Sequence, residues 1–162
     1  MSISTVDVIG IGHCCMDYLC MLDPYPEKGL KGNVKESLVI DGGPVPTALK
    51  TVVKFGGSAR FCGKVGADPD GFKLAEGLRA FGVRADTLIV DPGVQTARAY
   101  IWIDPRDGSR TVALDISRFE WFSAEQVNEE WFDHCRILLT DGRAAEASLR
   151  SLTLARQRGI IT

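Results

Sequence analysis

Gly12-x4-Asp17 places a carboxylate just beyond the short β-branched run Val6 to Ile11, at the carboxyl end of a strand, where α/β sheets hold their ligands. A carboxylate accepts several hydrogen bonds and can hold two vicinal hydroxyls of a sugar; a turn or cap residue is the plainer reading of such an aspartate. The second candidate is Asp41-Gly-Gly-Pro-Val-Pro-Thr47. Gly42 and Gly43 let a substrate lie against bare backbone, and Pro44 starts a helix whose free N–H groups face the same spot. Such a start suits hydroxyls or an anion, although a simple loop-to-helix turn accounts for the same residues. Gly10-Ile-Gly12 begins a G-x-G-x-x-G dinucleotide fingerprint. Cys15 stands where the third glycine would be, and Pro24 and Pro26 exclude the helix that should follow. An NAD-linked oxidoreductase would rest on that glycine pair alone. Gly66-Ala-Asp68-Pro-Asp-Gly71 reads as a capped turn.

The five cysteines (Cys14, Cys15, Cys20, Cys62 and Cys135) are odd in number, and Met1-Ser-Ile-Ser-Thr5 lacks the basic start of an export signal. Free thiols in a reducing compartment fit better than a disulfide framework, and without a C-x2-C knuckle no metal site is expected. The composition narrows the function classes further. Nineteen Lys and Arg against 21 Asp and Glu give a net charge of −2 with no like-charge cluster, so nucleic acid is not an expected partner. Apolar runs such as Ile137 to Leu139 fall far short of the ~20 residues that cross a bilayer. The expectation is a cytoplasmic protein without membrane contact. With 162 residues, 45% of them hydrophobic, the chain can bury roughly two thirds of its unfolded surface in one domain.

The elements that must position these residues alternate short β-branched runs with helical spacing, the pattern of an α/β domain on a largely parallel sheet. Val6 to Ile11 opens as a strand. Leu49, Val52 and Val53 behind Pro44, with Gly56 beyond, predict a helix near 44–55. Ala59 to Val65 alternates as a strand with one polar face carrying Arg60, Cys62 and Lys64. Asp68-Pro69 caps a helix that Gly82 closes. Leu88 to Val90 is a short strand, and Pro105-Arg-Asp-Gly108 joins 99–104 to 109–114 as a hairpin. Ile137 to Thr140 is a buried strand, followed by a helix marked by Leu149, Leu152 and Ala155. Gly159-Ile-Ile-Thr162 reads as the start of a further strand, so the chain is expected to be part of a longer protein.

Taken in order, these pieces resemble the pfkB (ribokinase-like) family of sugar kinases. The resemblance is carried by Gly12-x4-Asp17, Pro26-x2-Gly29, Gly42-Gly43, Lys64-Val-Gly66-x-Asp68-x2-Gly71, Gly82-Val83, Thr96-Ala-Arg-Ala99 and Ile103-Asp104 with Gly108-Ser-Arg110. It implies an α/β, ribokinase-like three-layer sandwich, here partial, with a small antiparallel β lid from about 17–40 and 95–114. It also implies ATP and Mg2+ as cofactors, a small sugar or sugar derivative as substrate, and a homodimer through the lid. Substrate contacts would fall to Asp17, Gly42, Gly43 and Thr47, the last standing where the family usually has asparagine. The G-G-P-x2-T-A variant and Thr140-Asp-Gly-Arg143 are similar to the sulfofructose kinase-type branch. Arg143 could then supply the cation for an anionic sugar, against the plainer reading of a surface or ion-paired arginine. The family's G-A-G-D segment, which holds the catalytic aspartate, does not occur here and is expected beyond Thr162, together with most of the ATP pocket. No catalytic residue is assigned. The alternative from another class is a truncated, non-catalytic remnant that serves as a dimerisation or ligand-sensing module.

Overall fold

The computed structural model describes residues 5–162. Its body is a three-stranded parallel sheet in the order β4-β1-β9, built from β1 (Val6–Ile11), β4 (Ala59–Cys62) and β9 (Cys135–Thr140). β1 is central, and its alternation serves two cores at once. Ile9 and Ile11 pack with Phe132, Leu138 and Leu154 on one side. Val8 packs with Val45, Leu49, Phe61, Leu74 and Leu78 on the other. Helices α1 (Pro44–Lys54) and α2 (Pro69–Ala80) therefore cover one face. Helix α3 (Ala145–Gln157) and two 3₁₀ turns, Ala124–Gln126 and Glu129–His134, cover the other. This gives the three expected layers. Gly159-Ile-Ile-Thr162 does turn toward the sheet, where Ile161 makes an isolated parallel bridge to Ile137.

The glycines of Gly10-Ile-Gly12 owe their place to packing. A Cβ on Gly10 would lie 2.5 Å from a Val45 methyl and 2.7 Å from a Leu49 methyl, and one on Gly12 would lie 2.6 Å from Val45. They allow α1 to rest directly on β1, which removes the reason to read them as a dinucleotide site.

One strand departs from the sequence reading. The expected run 59–65 is interrupted at Gly63, after which β5 (Lys64–Gly66) pairs with β6 (Ile89–Asp91) as a separate two-stranded sheet. Its supposed polar face is buried: Arg60 is fully covered and Lys64 is 5% exposed. Alternation fails to reveal this because the covered cations are neutralised by carboxylates nearer the surface, Asp86 at 58% and Glu120 at 75% side-chain exposure. Arg60 donates to both Asp86 oxygens at 3.0 and 3.3 Å, and Lys64 reaches Asp91 at 3.1 Å and Glu120 at 3.2 Å. Paired charges can be buried where lone ones cannot.

The second unit is a four-stranded sheet in the order β3-β2-β7-β8, from β2 (Cys15–Leu22), β3 (Val34–Gly42), β7 (Arg98–Ile103) and β8 (Arg110–Asp115). Its strands fall within 15–42 and 98–115, overlapping the lid segments expected at about 17–40 and 95–114. The outer pairs β2–β3 and β7–β8 are antiparallel, but β2 and β7 run parallel at the centre, so the lid is mixed and not wholly antiparallel. The hairpin signal at Asp107-Gly108 defines only the second pair. The parallel seam joins segments some 80 residues apart, and no local signal specifies it.

The lid is tied to the body through α2. Asp68 caps this helix by accepting from Gly71 N–H at 2.8 Å, and it also takes Thr96 N–H at 2.9 Å and the Thr96 hydroxyl at 2.7 Å. Burial would raise this carboxyl's pKa, but those donors outweigh it and hold the group below the usual range. Two residues on, Asp70 is 7% exposed. It accepts from the Tyr18 hydroxyl of β2 at 2.7 Å and pairs with the Arg98 guanidinium of β7.

Candidate functional site

The carboxyl ends of β1 and β9 meet the base of the lid and the start of α1 in a cleft of about 630 Å³. All five residues singled out from sequence line it: Asp17, Gly42, Gly43, Thr47 and Arg143. They come from four parts of the chain, and each is placed by a separate piece of local physics.

Asp17 stands on β2 opposite Ile40 of β3. Its carboxylate lies across the bare α-carbon of Gly42, where any Cβ would collide with it. On its other side Oδ1 accepts from the Cys15 thiol at 3.1 Å. Burial first, and then this bond, push the Cys15 thiol far up, so it stays protonated and acts as a donor. Asp17 is thereby held with lone pairs free for further donors.

Gly43 has φ +107° and ψ 144°, a backbone conformation open essentially to glycine alone. A Cβ there would also stand 2.5 Å from the His13 carbonyl oxygen. The glycine pair thus divides its work. Gly42 makes room for a carboxylate, and Gly43 lets the chain turn into α1 against the β1–β2 connection.

The start of α1 differs from expectation. Gly43 offers no side-chain cap, and prolines at 44 and 46 have no N–H. Thr47 N–H is already bonded to the Gly43 carbonyl at 3.2 Å. Of the first-turn residues only Val45 keeps a donor, so this helix start is a poor anion cradle. Its contribution to the cleft is the Thr47 side chain.

Positive charge comes from elsewhere. Arg143 follows β9, its backbone N–H bonded to Asp141 Oδ1 at 2.9 Å. The second Asp141 oxygen takes the His13 backbone N–H at 2.9 Å. One carboxylate therefore stitches together the loops after β1 and β9, the two walls of the cleft. Arg110, at the start of β8, reaches the cleft from the lid. Among the described residues neither Arg143 nor Arg110 has an ion-pair partner. Of the plainer reading of Arg143 as a surface or ion-paired arginine, the structure shows the surface part, since the residue is exposed, and no ion pair among the described residues.

Sequence reasoning missed several members of this site. His13 and Cys15 lie inside the Gly12-x4-Asp17 spacing, Asp141 lies inside Thr140-Asp-Gly-Arg143, and Arg110 closes the hairpin motif. Each is visible as a letter, but the contact that gives it a role is long-range. No group of three or more His, Cys, Asp or Glu side chains among the described residues could hold a metal ion. No described helix is long and apolar enough to cross a membrane. The five cysteines are free, and burial pushes the Cys62 thiol up to about 12.

Known proteins resemble this chain in sequence and fold. 5-Dehydro-2-deoxygluconokinase of Halalkalibacterium halodurans is 27% identical over 162 residues, covering 95% of this chain and 48% of that protein. Fructokinase-1 of Zea mays is 30% identical over 128 residues, covering 74% of this chain and 39% of that protein. Among solved structures, ribokinase from Cryptococcus neoformans var. grubii serotype A in complex with ADP superposes with a TM-score of 0.79 at 21% identity, over 98% of this chain and 50% of that one. The PfkB protein from Polaromonas sp. JS666 gives 0.80 at 16% identity, over 96% and 53%. The fold is ribokinase-like. The chain spans about half the length of the curated relatives it matches. Residues 7–159 match the pfkB family carbohydrate kinase profile, and on that match the chain belongs to the pfkB family of carbohydrate kinases.

Proposed function

We propose that these residues form the sugar-holding portion of an ATP-dependent carbohydrate kinase that transfers a phosphoryl group to a hydroxyl of a small sugar or sugar derivative. The observation that carries this reading is the Asp17 carboxylate, held between the Cys15 thiol and the bare Gly42 backbone and open to a cleft shared by body and lid. In that position it can accept bonds from two adjacent hydroxyls. Thr47 adds a hydroxyl that can both donate and accept. The lid strands cover the sugar, and closure keeps water from competing for the transferred phosphoryl group. Mg-ATP supplies that group when bound.

The two arginines without ion pairs favour a sugar derivative that carries an anionic group. A cleft with Arg110 on the lid side and Arg143 on the body side can clamp a carboxylate, sulfonate or phosphate from both. The test is a panel of neutral and anionic sugars assayed with the full-length enzyme. Arg143→Leu should lower kcat/KM for the anionic substrate roughly 10- to 150-fold and leave a neutral analogue nearly unchanged. Preference for a neutral sugar with a silent Arg143→Leu ends the anionic reading, and absence of any phosphorylated product ends the kinase reading. We further propose that the protein is a homodimer through the lid, supported by the exposed apolar side chain of Leu38, outside the cleft on the lid face that carries Asp17.

A further inference from the structure

His13 lies between Gly12 and the Cys14-Cys15 pair, at the turn from β1 into β2. It lines the same cleft as Asp17 and Arg143 and is 8% exposed. Its Nδ1 is buried and has no hydrogen-bond partner among the described residues. A buried polar atom in a native fold is nearly always paired, because leaving it unpaired forfeits its hydration without return. A histidine kept only for packing would have its nitrogens tied to the chain.

The ring is also held in place. Phe119 meets it edge-on at 5.9 Å between centroids, Trp121 lies at 5.1 Å, and the two aromatics contact each other at 5.3 Å. Glu120, between them in sequence, is anchored to the buried Lys64 at 3.2 Å. The His13 backbone N–H is fixed on Asp141, and its carbonyl backs onto Gly43. The imidazole is thus gripped by ring, backbone and neighbour while one nitrogen lacks a partner. That is the condition of a preorganised binding group. Burial lowers its pKa, the Arg143 charge acts in the same sense, and Asp141 and Asp17 oppose them. The net effect favours the neutral ring, which offers one donor and one acceptor.

Building on the carbohydrate-kinase reading above, we propose that His13 is a substrate-contacting specificity residue whose imidazole bonds a sugar hydroxyl beside the one held by Asp17. The aromatic wall sets the angle of that bond, so His13 selects among sugars by the position of a hydroxyl. A sugar lacking a hydroxyl there would leave the nitrogen unpaired in the complex, the situation in which polar sites discriminate most strongly.

The test uses the full-length enzyme with D-fructose, D-ribose and 5-dehydro-2-deoxygluconate as probes, followed by phosphorylation assay and by calorimetric binding. His13→Phe keeps a ring against Phe119 and Trp121 but removes both nitrogens. It should raise Kd and KM for the preferred sugar roughly tenfold, leave KM for ATP unchanged and change kcat by less than about twofold. His13→Asn, with polar atoms but no ring, should recover part of the loss. A measurement on the unmodified enzyme is independent of whether either variant folds: the imidazole ¹⁵N resonances of His13 should move when the preferred sugar is added. If the enzyme binds and phosphorylates a sugar while His13→Phe leaves Kd unchanged, or while the ¹⁵N resonances stay still, the role of His13 is overturned and the kinase reading survives. A lower melting temperature with unchanged Kd overturns it equally, since the nitrogen then pairs within the protein. If none of the three sugars binds, the substrate class fails and this proposal with it.

Discussion

Gly42 and Gly43 are neighbours whose substitution should fail in different ways. The obstacle to a Cβ at Gly42 is the Asp17 carboxylate, the end of a short side chain that can rotate aside. The cost falls on the carboxylate's position. Gly42→Ala in the full-length enzyme is expected to behave like Asp17→Asn, with KM for sugar raised roughly tenfold, KM for ATP little changed and the melting temperature nearly preserved. At Gly43 the obstacle is the His13 backbone and the positive φ is prohibitive for a side chain. Gly43→Ala should lose ~1–3 kcal/mol of stability in urea titration. Equal melting temperatures for the two variants would refute this division. The sequence shows both glycines and suggests bare backbone near a substrate, and the structure places both at the cleft. It does not show which glycine serves the carboxylate and which the turn, because that depends on β2 pairing with β3 so that Cys15 faces Gly42. His13 is less legible still, since the aromatics that hold its ring, Phe119 and Trp121, lie more than a hundred residues away.

The elements most faithfully readable are those with local punctuation. Asp68-Pro69 and Gly82 bracket α2, and the Asp107-Gly108 step joins β7 to β8, as their turn chemistry requires. β2 is hard to recognise because Cys15 to Leu22 has no alternation: its residues are buried or half-buried on both faces. The same element carries the lid's attachment. Tyr18 of β2 and Arg98 of β7 both converge on Asp70 in the first turn of α2, where a carboxylate also suits the helix dipole. This bond raises the pKa of both the Tyr18 phenol and the Arg98 guanidinium, which keeps both as donors. Asp70→Ala leaves two donors without an acceptor at the central seam of the lid. It should cost about 2 kcal/mol in urea unfolding, against about 1 kcal/mol for Tyr18→Phe. Amide hydrogen exchange should speed up in β2 and β7 and stay unchanged in β1. Uniform acceleration through the body would mean that Asp70 supports the whole domain and does not act as the anchor of the lid.

At the scale of the whole molecule, the lid presents a face with several exposed apolar side chains. The register aligns Asp17, Ile40, Ala99 and Leu114 across the four strands, then Leu19, Leu38, Ile101 and Val112 in the next row outward. The first row belongs to the cleft and can be covered by a bound sugar. In the second, Ile101 and Val112 still line the cleft, while Leu38, 55% exposed, stands outside it. An exposed row of branched side chains on a flat sheet marks an interaction surface, and the available partner of identical shape is a second copy of the chain, meeting face to face about a two-fold axis. Edge-to-edge pairing is disfavoured, because the outer strands carry Lys35, Glu36 and Arg110, charges of the kind that blunt open edges. The full-length enzyme is therefore expected to be a dimer by light scattering at micromolar concentration, and Leu38→Glu, outside the cleft, should make it a monomer. Because Asp17, Gly42 and Arg143 are untouched by that substitution, the monomer should still bind sugar, with an affinity reduced only as far as the partner lid helps to close the cleft. A monomeric wild-type enzyme, or a Leu38→Glu variant that remains dimeric, would show that the outer row is covered within a single copy and that the interface is elsewhere.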